Sequence, residues 1–553
     1  MRRLRGPNAY LSRPVLVARL HLDGLAGRDT DAAVAGRLLA ALPGLAEHHC
    51  AAGRPGGFEA RLREGTYFGH VAEHVAIELS QLIGRTVNFG RTAYAGAPGV
   101  YDVILESPVD EPPAAGVAEE LLRIAIGLVE GVLAGRVPAP DLTAVRTAYE
   151  RSLTGPSTTS IVAAARRRGV PVERVGDLSL LRLGHGCRRR LVWAAMTDRT
   201  GGVGVDIAGD KQLTRQLLAE AGVPVPAGGT AKTAEEALAM FAELSGGRVV
   251  VKPRGGRQGQ HVYLGLSTPE AVRAAFAAAS GGGTGDGEVV VERQLGGRDY
   301  RVLVVAGQMV AAAERVPAHV VGDGVTDVEG LVARANEDPR RGTGHGRALT
   351  RLVVDEVAGA LLRRQGHAPG SVPPPGELVW LRDNANLSTG GTSRDVTGEV
   401  HHDVAVLCER VAAIIGLDIA GIDLRLPDIG APLPAVAPGD RPEGGVIEVN
   451  AAPGLRMHLE PASGQPRDVG ASIVDALYAP GDSGRIPTVA ITGTNGKTTT
   501  ARLAAHLIGG VGLRVGLATT DGVYLDGRMV QRADATGPRS AQVVLGDPGV
   551  EAA

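Results

Sequence analysis

"GGVIEVNAAPG", Gly444 to Gly454, is a short β-branched run that ends in a Pro-Gly turn. In a strand, residues two apart face the same side, so Glu448 and Asn450 present their oxygens together, as a hard cation requires. "IAGIDLRL", Ile419 to Leu426, reads as a second strand and offers Asp423 as a third oxygen ligand. Without further evidence these are strand-end polar residues meeting solvent. Upstream, "GRVVVKPRGGRQGQHVYLGL" delivers Lys252 from a buried-type strand into a loop with Gly255, Gly256 and Gly259, and a second strand follows. A lysine plus flexible backbone amides suits triphosphate oxygens, although a strand-end lysine beside glycines is more often a solvated turn. "AGDKQLTRQLLAEAGVPVPAG" predicts a helix from near Asp210, with Lys211 at its start, Leu213, Leu217 and Ala221 on one face, and Gly222 as its stop. "EVVVERQL" predicts a strand ending in Glu292, and "DYRVLVVAGQMVAAAERVPA" predicts two strands around Gly307 with Arg301 at the entry.

In this order, from about Gly201 to Gly470, the motifs resemble the ATP-grasp ligases. That resemblance implies that Lys211, Lys252 and the loop glycines Gly256 and Gly259 hold ATP phosphates and that the segment at Glu292 meets adenine and ribose. Asp423, Glu448 and Asn450 would bind Mg2+, while Arg301, with Lys252, would act on the reacting carboxylate or the transferred phosphate. A carboxylate is a poor electrophile, so such an enzyme phosphorylates it and lets an amine attack the acyl phosphate, with cations offsetting the repulsion between anions. Further stretches are similar to cyanophycin synthetases, enzymes that build multi-L-arginyl-poly-L-aspartate. They are "LRGPNAYLSRPVL", "HVAEHVAIELSQLIGRTVNFGRT", "VPAHVVGDGVTDVEGLV", "NANLSTGGTSRDVT" and "IEVNAAPGLRMHLEP". The family implies aspartate, arginine and a cyanophycin primer as partners, with Ser388 and Gly390 gripping the chain end, and a homotetramer. One departure is the loop after Lys252: the family pattern is Asp-Gly-Asn-x-Gly-Arg-Gly, and this chain has Gly255, Arg257, Gln260 and His261 at four of those places. A histidine in place of glycine restricts the loop if a positive φ is needed there.

"TVAITGTNGKTTT", Thr488 to Thr500, predicts a strand, a phosphate loop and a helix start. Ile491 stands where the common P-loop has its first glycine, and the shorter "GTNGKTT" resembles Mur ligases. In those enzymes the places of Gly493, Thr494, Asn495 and Gly496 line the phosphates, that of Lys497 meets the β and γ charges, and that of Thr498 holds magnesium. Only 53 residues follow Thr500, against the roughly 100–150 of a typical domain. The expectation is a chain truncated or split inside a Mur-ligase-like domain, whose arginine-adding half a second chain would complete.

Near the start, "GHVAEHVAIELS" places His70 and His74 four apart on a helix, with Glu73 between them and Glu78 one turn on. Two imidazoles at this spacing can share Zn2+, Glu78 can add a third ligand, and Glu73 can activate water as a hydrolytic base. The alternative is a helix whose Val71, Val75 and Leu79 pack inward while the His and Glu side chains bond at the surface. Resemblance adds the expectation of a polymer-cutting site, with polymer binding by the same region.

The composition, 44% hydrophobic and 21% charged with 79 Gly and 34 Pro, is that of an α/β multidomain protein rich in tight turns. Three parts are expected: an α+β N-terminal domain (1–160), an ATP-grasp domain (161–480) and an incomplete P-loop Mur-ligase-like domain (488–553). A net charge of −2 gives no overall pull toward nucleic acid or anionic membrane. No apolar run approaches the roughly 20 residues that span a bilayer. Cys50, Cys187 and Cys408 fit neither a disulfide framework nor a Cys-x-x-Cys metal site, which suits a reducing cytoplasm. Two rivals to an amide ligase of this family are a non-catalytic polymer-binding protein and a glutathione-type ATP-grasp ligase.

Overall fold

The computed structural model describes residues 1–4, 8–50, 53–107, 116–137, 139–176, 179–244, 248–255, 261–281, 287–342, 347–433 and 442–553. Two units divide the chain, Met1–Leu153 and Thr154–Ala553. The expected loop glycines Gly256 and Gly259, with Arg257 and Gln260, lie outside the described residues.

In the first unit, β1 (Arg2–Leu4), β2 (Val15–His21), β3 (Gly90–Tyr94) and β4 (Val100–Glu106) form an antiparallel sheet in the order β1-β2-β4-β3. The period of two divides β2 and β4 between two clusters. Val15, Val17 and Ile104 form a small cluster on one face, whereas Ala18, Val103 and Leu105 join the main helical core. That core is built by α1 (Ala32–Ala41), α2 (Gly57–Glu64), α3 (Phe68–Leu82), α4 (Val117–Leu133) and α5 (Thr143–Ser152). Helix α3 differs from its expected pattern. Val71, Val75 and Leu79 are buried, and so are Glu73, His74 and Glu78, so these polar side chains find their partners inside the unit and not at its surface.

The second unit begins with α6 (Pro156–Arg167) and a small antiparallel sheet, β5 (Val172–Arg174), β6 (Leu180–Leu183), β7 (Arg190–Trp193) and β8 (Met196–Thr197). Next come α7 (Gly202–Gly209) and α8 (Lys211–Glu220). The side chain of Asp210 caps α8, accepting from the amides of Gln212 and Leu213. Gly222 closes the helix region at φ +72°. The buried face of α8 is Thr214 and Leu218, not the expected row through Leu213, which is 38% exposed. Strands β9 (Gly228–Ala231), β10 (Val249–Pro253), β11 (Tyr263–Leu266) and β12 (Val289–Arg293) form an antiparallel sheet ordered β11-β10-β12-β9, and α9 (Ala234–Glu243) and α10 (Pro269–Ser280) join its core.

A larger sheet follows. Strands β13 (Arg298–Val305) and β14 (Gln308–Val316) form a hairpin. An insertion with its own core interrupts the sheet, comprising β15 (His319–Val321), α11 (Val328–Ala335), β16 (Arg341–Gly342), β17 (Leu349–Thr350), α12 (Glu356–Arg364) and β18 (Leu378–Trp380). The sheet resumes with β19 (Thr392–Asp395), α13 (His402–Ile415), β20 (Ile419–Leu426) and β21 (Gly445–Asn450), in the order β19-β14-β13-β20-β21. Alternation along β13 sets the two faces. Tyr300, Val302 and Val304 share a core with Val404, Cys408 and Val411 of α13, and Leu303 and Val305 share another with α6 and the later α15. Arg301 belongs to the second face, beyond the apolar part. The helical turn α14 (Arg456–Leu459) packs against β14 and β19, and α15 (Val469–Leu477) lies beside α6.

The last segment holds α16 (Lys497–Gly510), β22 (Gly516–Thr519), β23 (Gly522–Leu525), β24 (Arg528–Gln531) and α17 (Pro538–Gly546). The strand expected at Thr488–Ile491 does not form. Its backbone contacts are bonds between Val489 and Ala553 and between Ala553 and Pro487, and Val489 is 56% exposed. An apolar run becomes a central strand only when neighbouring strands bond it along its length, and these residues gain one such contact region. Among the described residues, no helix is long and apolar enough to cross a membrane.

Candidate functional site

The register of the five-stranded sheet places Asp395, Ala313, Arg301, Asp423 and Glu448 in one row across five strands. Asn450 stands two positions from Glu448, opposite Gly421. The row is a chain of charges. Both Asp423 oxygens accept from Arg301, the second at 2.9 Å, and Arg315 reaches Oδ1 at 3.3 Å. Burial pushes the Asp423 carboxyl up, but the two guanidinium groups outweigh it and hold the carboxyl below its usual range. Burial opposes charge on Arg301 as well, and Asp423 more than compensates. A carboxylate has about four lone-pair sites, and among the described residues three of those on Asp423 are engaged. Gly421 makes room for this arrangement, since a Cβ there would stand 2.6 Å from Pro453 Cβ and 3.2 Å from the Arg301 guanidinium.

Glu448 faces a narrow cleft lined also by Lys211, Thr214, Arg215, Glu292 and Val446. Lys211 Nζ lies 3.9 Å from Glu448 Oε1, and burial lowers its pKa more than Glu448 restores it. Lys252 comes from β10 and donates to Glu292 Oε1 of β12 at 2.5 Å, with both side chains almost wholly enclosed. Glu292 therefore neutralises the lysine from a neighbouring strand. Three elements thus bring Lys211, Lys252, Glu292, Glu448 and Asn450 into one region: α8, the β9–β12 sheet and β21. The donor set fits a divalent cation, because Glu448 and Asn450 are half-exposed and, among the described residues, the ion pair of Glu448 with Lys211 is long, at 3.9 Å, with Arg301 adding a further positive field.

Sequence reading missed Arg254 and Arg315. Arg254 donates to Asp210 at 2.6 Å and to Glu288 at 2.5 Å, tying the β9–β12 sheet to the cap of α8. Its position two residues after Lys252 was the available signal. His261 has φ +54°, so it adopts the left-handed backbone expected to disfavour a residue other than glycine. Ser388 is exposed on a turn, Leu387–Thr389. Gly390 is buried at φ +98°, where a Cβ would lie 2.7 Å from Leu352, so its role in the structure is to let this turn pack.

In the first unit, the Sγ of Cys50 and ring nitrogens of His70 and His74 lie within 4.8 Å of one another. Cys50 replaces the expected Glu78 in this group. Glu78 Oε2 lies 3.0 Å from His48 Nε2, and His48 Nδ1 lies 3.0 Å from His74 Nδ1. The reason is helical rise: eight residues separate His70 from Glu78, about 12 Å along the axis, too far for one ion. Burial brings the His70 pKa down to about 4 and that of His74 to about 2, so both rings are neutral, as metal ligands must be. One sulfur and two nitrogens suit zinc. Glu73 accepts from Thr92 Oγ1 at 2.6 Å, and burial pushes its carboxyl up to about 7. The sequence signal for Cys50 was "HHC", His48 to Cys50, about 20 residues before the helix.

In the last segment, Gly493 and Gly496 have positive φ and α16 starts at Lys497, the loop-then-helix order that was expected. Lys497 Nζ donates to the carbonyls of Gly493 and Thr494 at 2.6 and 3.1 Å, folding over its own loop. Thr498 Oγ1 lies 3.1 Å from Thr520 Oγ1, and Asn495 is exposed.

Residues 20–134 match the cyanophycin synthase-like N-terminal domain, and residues 208–322 match the RimK-like ATP-grasp domain. The chain is 42% identical to the cyanophycin synthetase of Nostoc sp. over 559 aligned positions, covering 100% of this chain and 60% of the relative. It is 42% identical to that of Synechocystis sp., covering 100% and 63%. A glutathione biosynthesis bifunctional protein of Mannheimia succiniciproducens is 34% identical over 51% of this chain and 37% of its own length. The chain thus spans about three-fifths of the length of the synthetases it matches. That similarity runs through all of the chain's residues, and both domain models are matched in order, so the chain is similar along its whole length to the cyanophycin synthetases.

Proposed function

We propose that this chain is an ATP-dependent ligase that adds aspartate to the C-terminal carboxylate of a multi-L-arginyl-poly-L-aspartate primer. The observation that carries this reading is the convergence of Lys211, Lys252, Glu292, Glu448 and Asn450 beside the buried Arg301–Asp423 pair. Lys211 and Lys252 hold the ATP phosphates. A primer carboxylate oxygen attacks the γ-phosphorus as the bond to ADP breaks, the aspartate amine attacks the resulting acyl carbon, and phosphate and a proton leave. Arg301, fixed by Asp423, offers positive charge where the carboxylate reacts. Held by Glu448, Asn450 and the remaining Asp423 lone pair, magnesium would reduce the charge repulsion between ATP and the carboxylate. Ser388 and Gly390 hold the primer end.

The test is ADP release together with incorporation of labelled aspartate into primer. ATP- and Mg2+-dependent incorporation is expected, and Glu448→Gln should lower kcat on the order of 100-fold. Polymer binding without ADP release would instead support a non-catalytic, polymer-binding protein. The chain is read as cytoplasmic and as a homotetramer, which sedimentation tests directly.

The first unit supports a second reading, carried by the sulfur and two nitrogens at Cys50, His70 and His74. These residues hold zinc, and Glu73 serves as a base for cutting polymer.

A further inference from the structure

Most cations around the charged face of the second unit already have an acidic partner. Lys211 faces Glu448, Lys252 faces Glu292, Arg301 and Arg315 share Asp423, and Arg467 holds Asp395 at 2.6 Å. Arg341 and Arg456 differ. Arg456 is 8% exposed and donates to the Arg347 carbonyl at 3.0 Å and to Thr350 Oγ1 at 3.4 Å. Arg341 is half-buried and donates to the Thr350 carbonyl at 2.6 Å. Neither is in an ion pair with a carboxylate among the described residues. Burial lowers the pKa of both by more than the nearby carboxylates, Asp338 for Arg341 and Glu460 for Arg456, restore it.

Their location connects them with substrate. Strand β17, which carries Thr350, touches the turn Leu387–Thr389 that holds Ser388. Arg456 opens α14, six residues after Asn450 on β21, and α14 rests on β14 and β19. The pair therefore borders the charged face at its β14–β19 side, whereas Lys211 and the nucleotide cleft border it at β21. An acidic amino acid attacking through its amine has two carboxylates that take no part in bond formation, and these need cations separate from those holding phosphates. Planar guanidinium forks match carboxylates in a bidentate way.

We propose that Arg341 and Arg456, joined through Thr350, form the site that binds a non-reacting carboxylate of the incoming acidic amino acid. This assignment rests on reading the chain as an aspartate-adding ligase. It makes the pair a determinant of specificity: a neutral amino acid would leave both guanidinium groups without a directly paired carboxylate.

The test uses the full chain with ATP, Mg2+, primer and L-aspartate. Arg341→Gln, at a half-exposed position that tolerates the change, should raise KM for aspartate at least tenfold and leave KM for ATP within twofold. Arg456→Lys, which retains charge but loses the fork, should act in the same direction by a smaller factor, with its melting temperature checked. A KM for aspartate within twofold of wild type in both variants overturns the proposal, as does an equal rise in KM for ATP. If wild type releases no aspartate-dependent ADP, the ligase reading fails and calorimetric titration of succinate decides the site independently. Saturable succinate binding that is lost in Arg341→Gln supports the site. Absent binding in wild type, undiminished binding in both variants, or saturation by inorganic phosphate but not succinate overturns it.

Discussion

Lys252 and Glu292 neutralise each other in an enclosed position, and removing one partner leaves the other as an unmatched buried charge. Lys252→Met should therefore destabilise the chain by about 3–5 kcal/mol in urea unfolding, and the double variant Lys252→Met/Glu292→Leu should recover most of that loss. An additive double variant would refute the coupling. His458 presents the opposite case. It is 2% exposed, both ring nitrogens lack a partner among the described groups, and burial together with Arg301 and Arg315 brings its pKa down to about 3 against a pull upward from Asp395. A histidine depressed in the folded state contributes stability above its unfolded pKa of about 6.5 and loses it as pH falls toward 3. The cost of His458→Gln should accordingly shrink by roughly 3 kcal/mol between pH 7 and pH 4. A pH-independent cost would show that the ring is not held neutral. Neither the Lys252–Glu292 pairing nor the enclosure of His458 was legible in the sequence, because each depends on residues far apart in the chain. The individual residues were more visible: Lys252, Glu292 and Glu448 each end or interrupt a β-branched run.

Strands buried on both faces announce themselves as continuous β-branched runs, which is why "VVVKP" and "VVVER" were readable as β10 and β12. The same signal failed at Thr488–Ile491, where composition suited a strand and bonding partners along its length were lacking. Helix α8 shows a related limit: a heptad-like row of Leu213, Leu217 and Ala221 was visible, but packing selected the adjacent face through Thr214 and Leu218. In α3 the i, i+4 histidines were legible and their partner was not, because Cys50 arrives from a preceding segment. Purified protein should contain about one zinc per chain, and Cys50→Ser should lose it during dialysis against a weak chelator while Glu78→Gln retains it. Zinc retained by Cys50→Ser and lost by Glu78→Gln would restore the ligand set first read from the sequence.

At the scale of the whole chain, the core built by α1 to α5 draws all its residues from within Met1–Leu153. That segment expressed alone should melt in one cooperative transition by circular dichroism, and a featureless trace would show that it needs the remainder. The turn-rich stretch Tyr478–Pro487 was legible as an interruption. How the residues after it dock was not: the Cys187 amide donates to the Val550 carbonyl at 2.8 Å and His185 to that of Gly484 at 2.8 Å, pairings of backbone that no side-chain pattern encodes. The link made by Arg254 has a mechanical result. Any motion that parts the β9–β12 sheet from α8 must break its hold on Asp210 or on Glu288. Dissolved salt screens half-exposed pairs of this kind, so rising ionic strength should loosen this one fastening between the β9–β12 sheet and the start of α8.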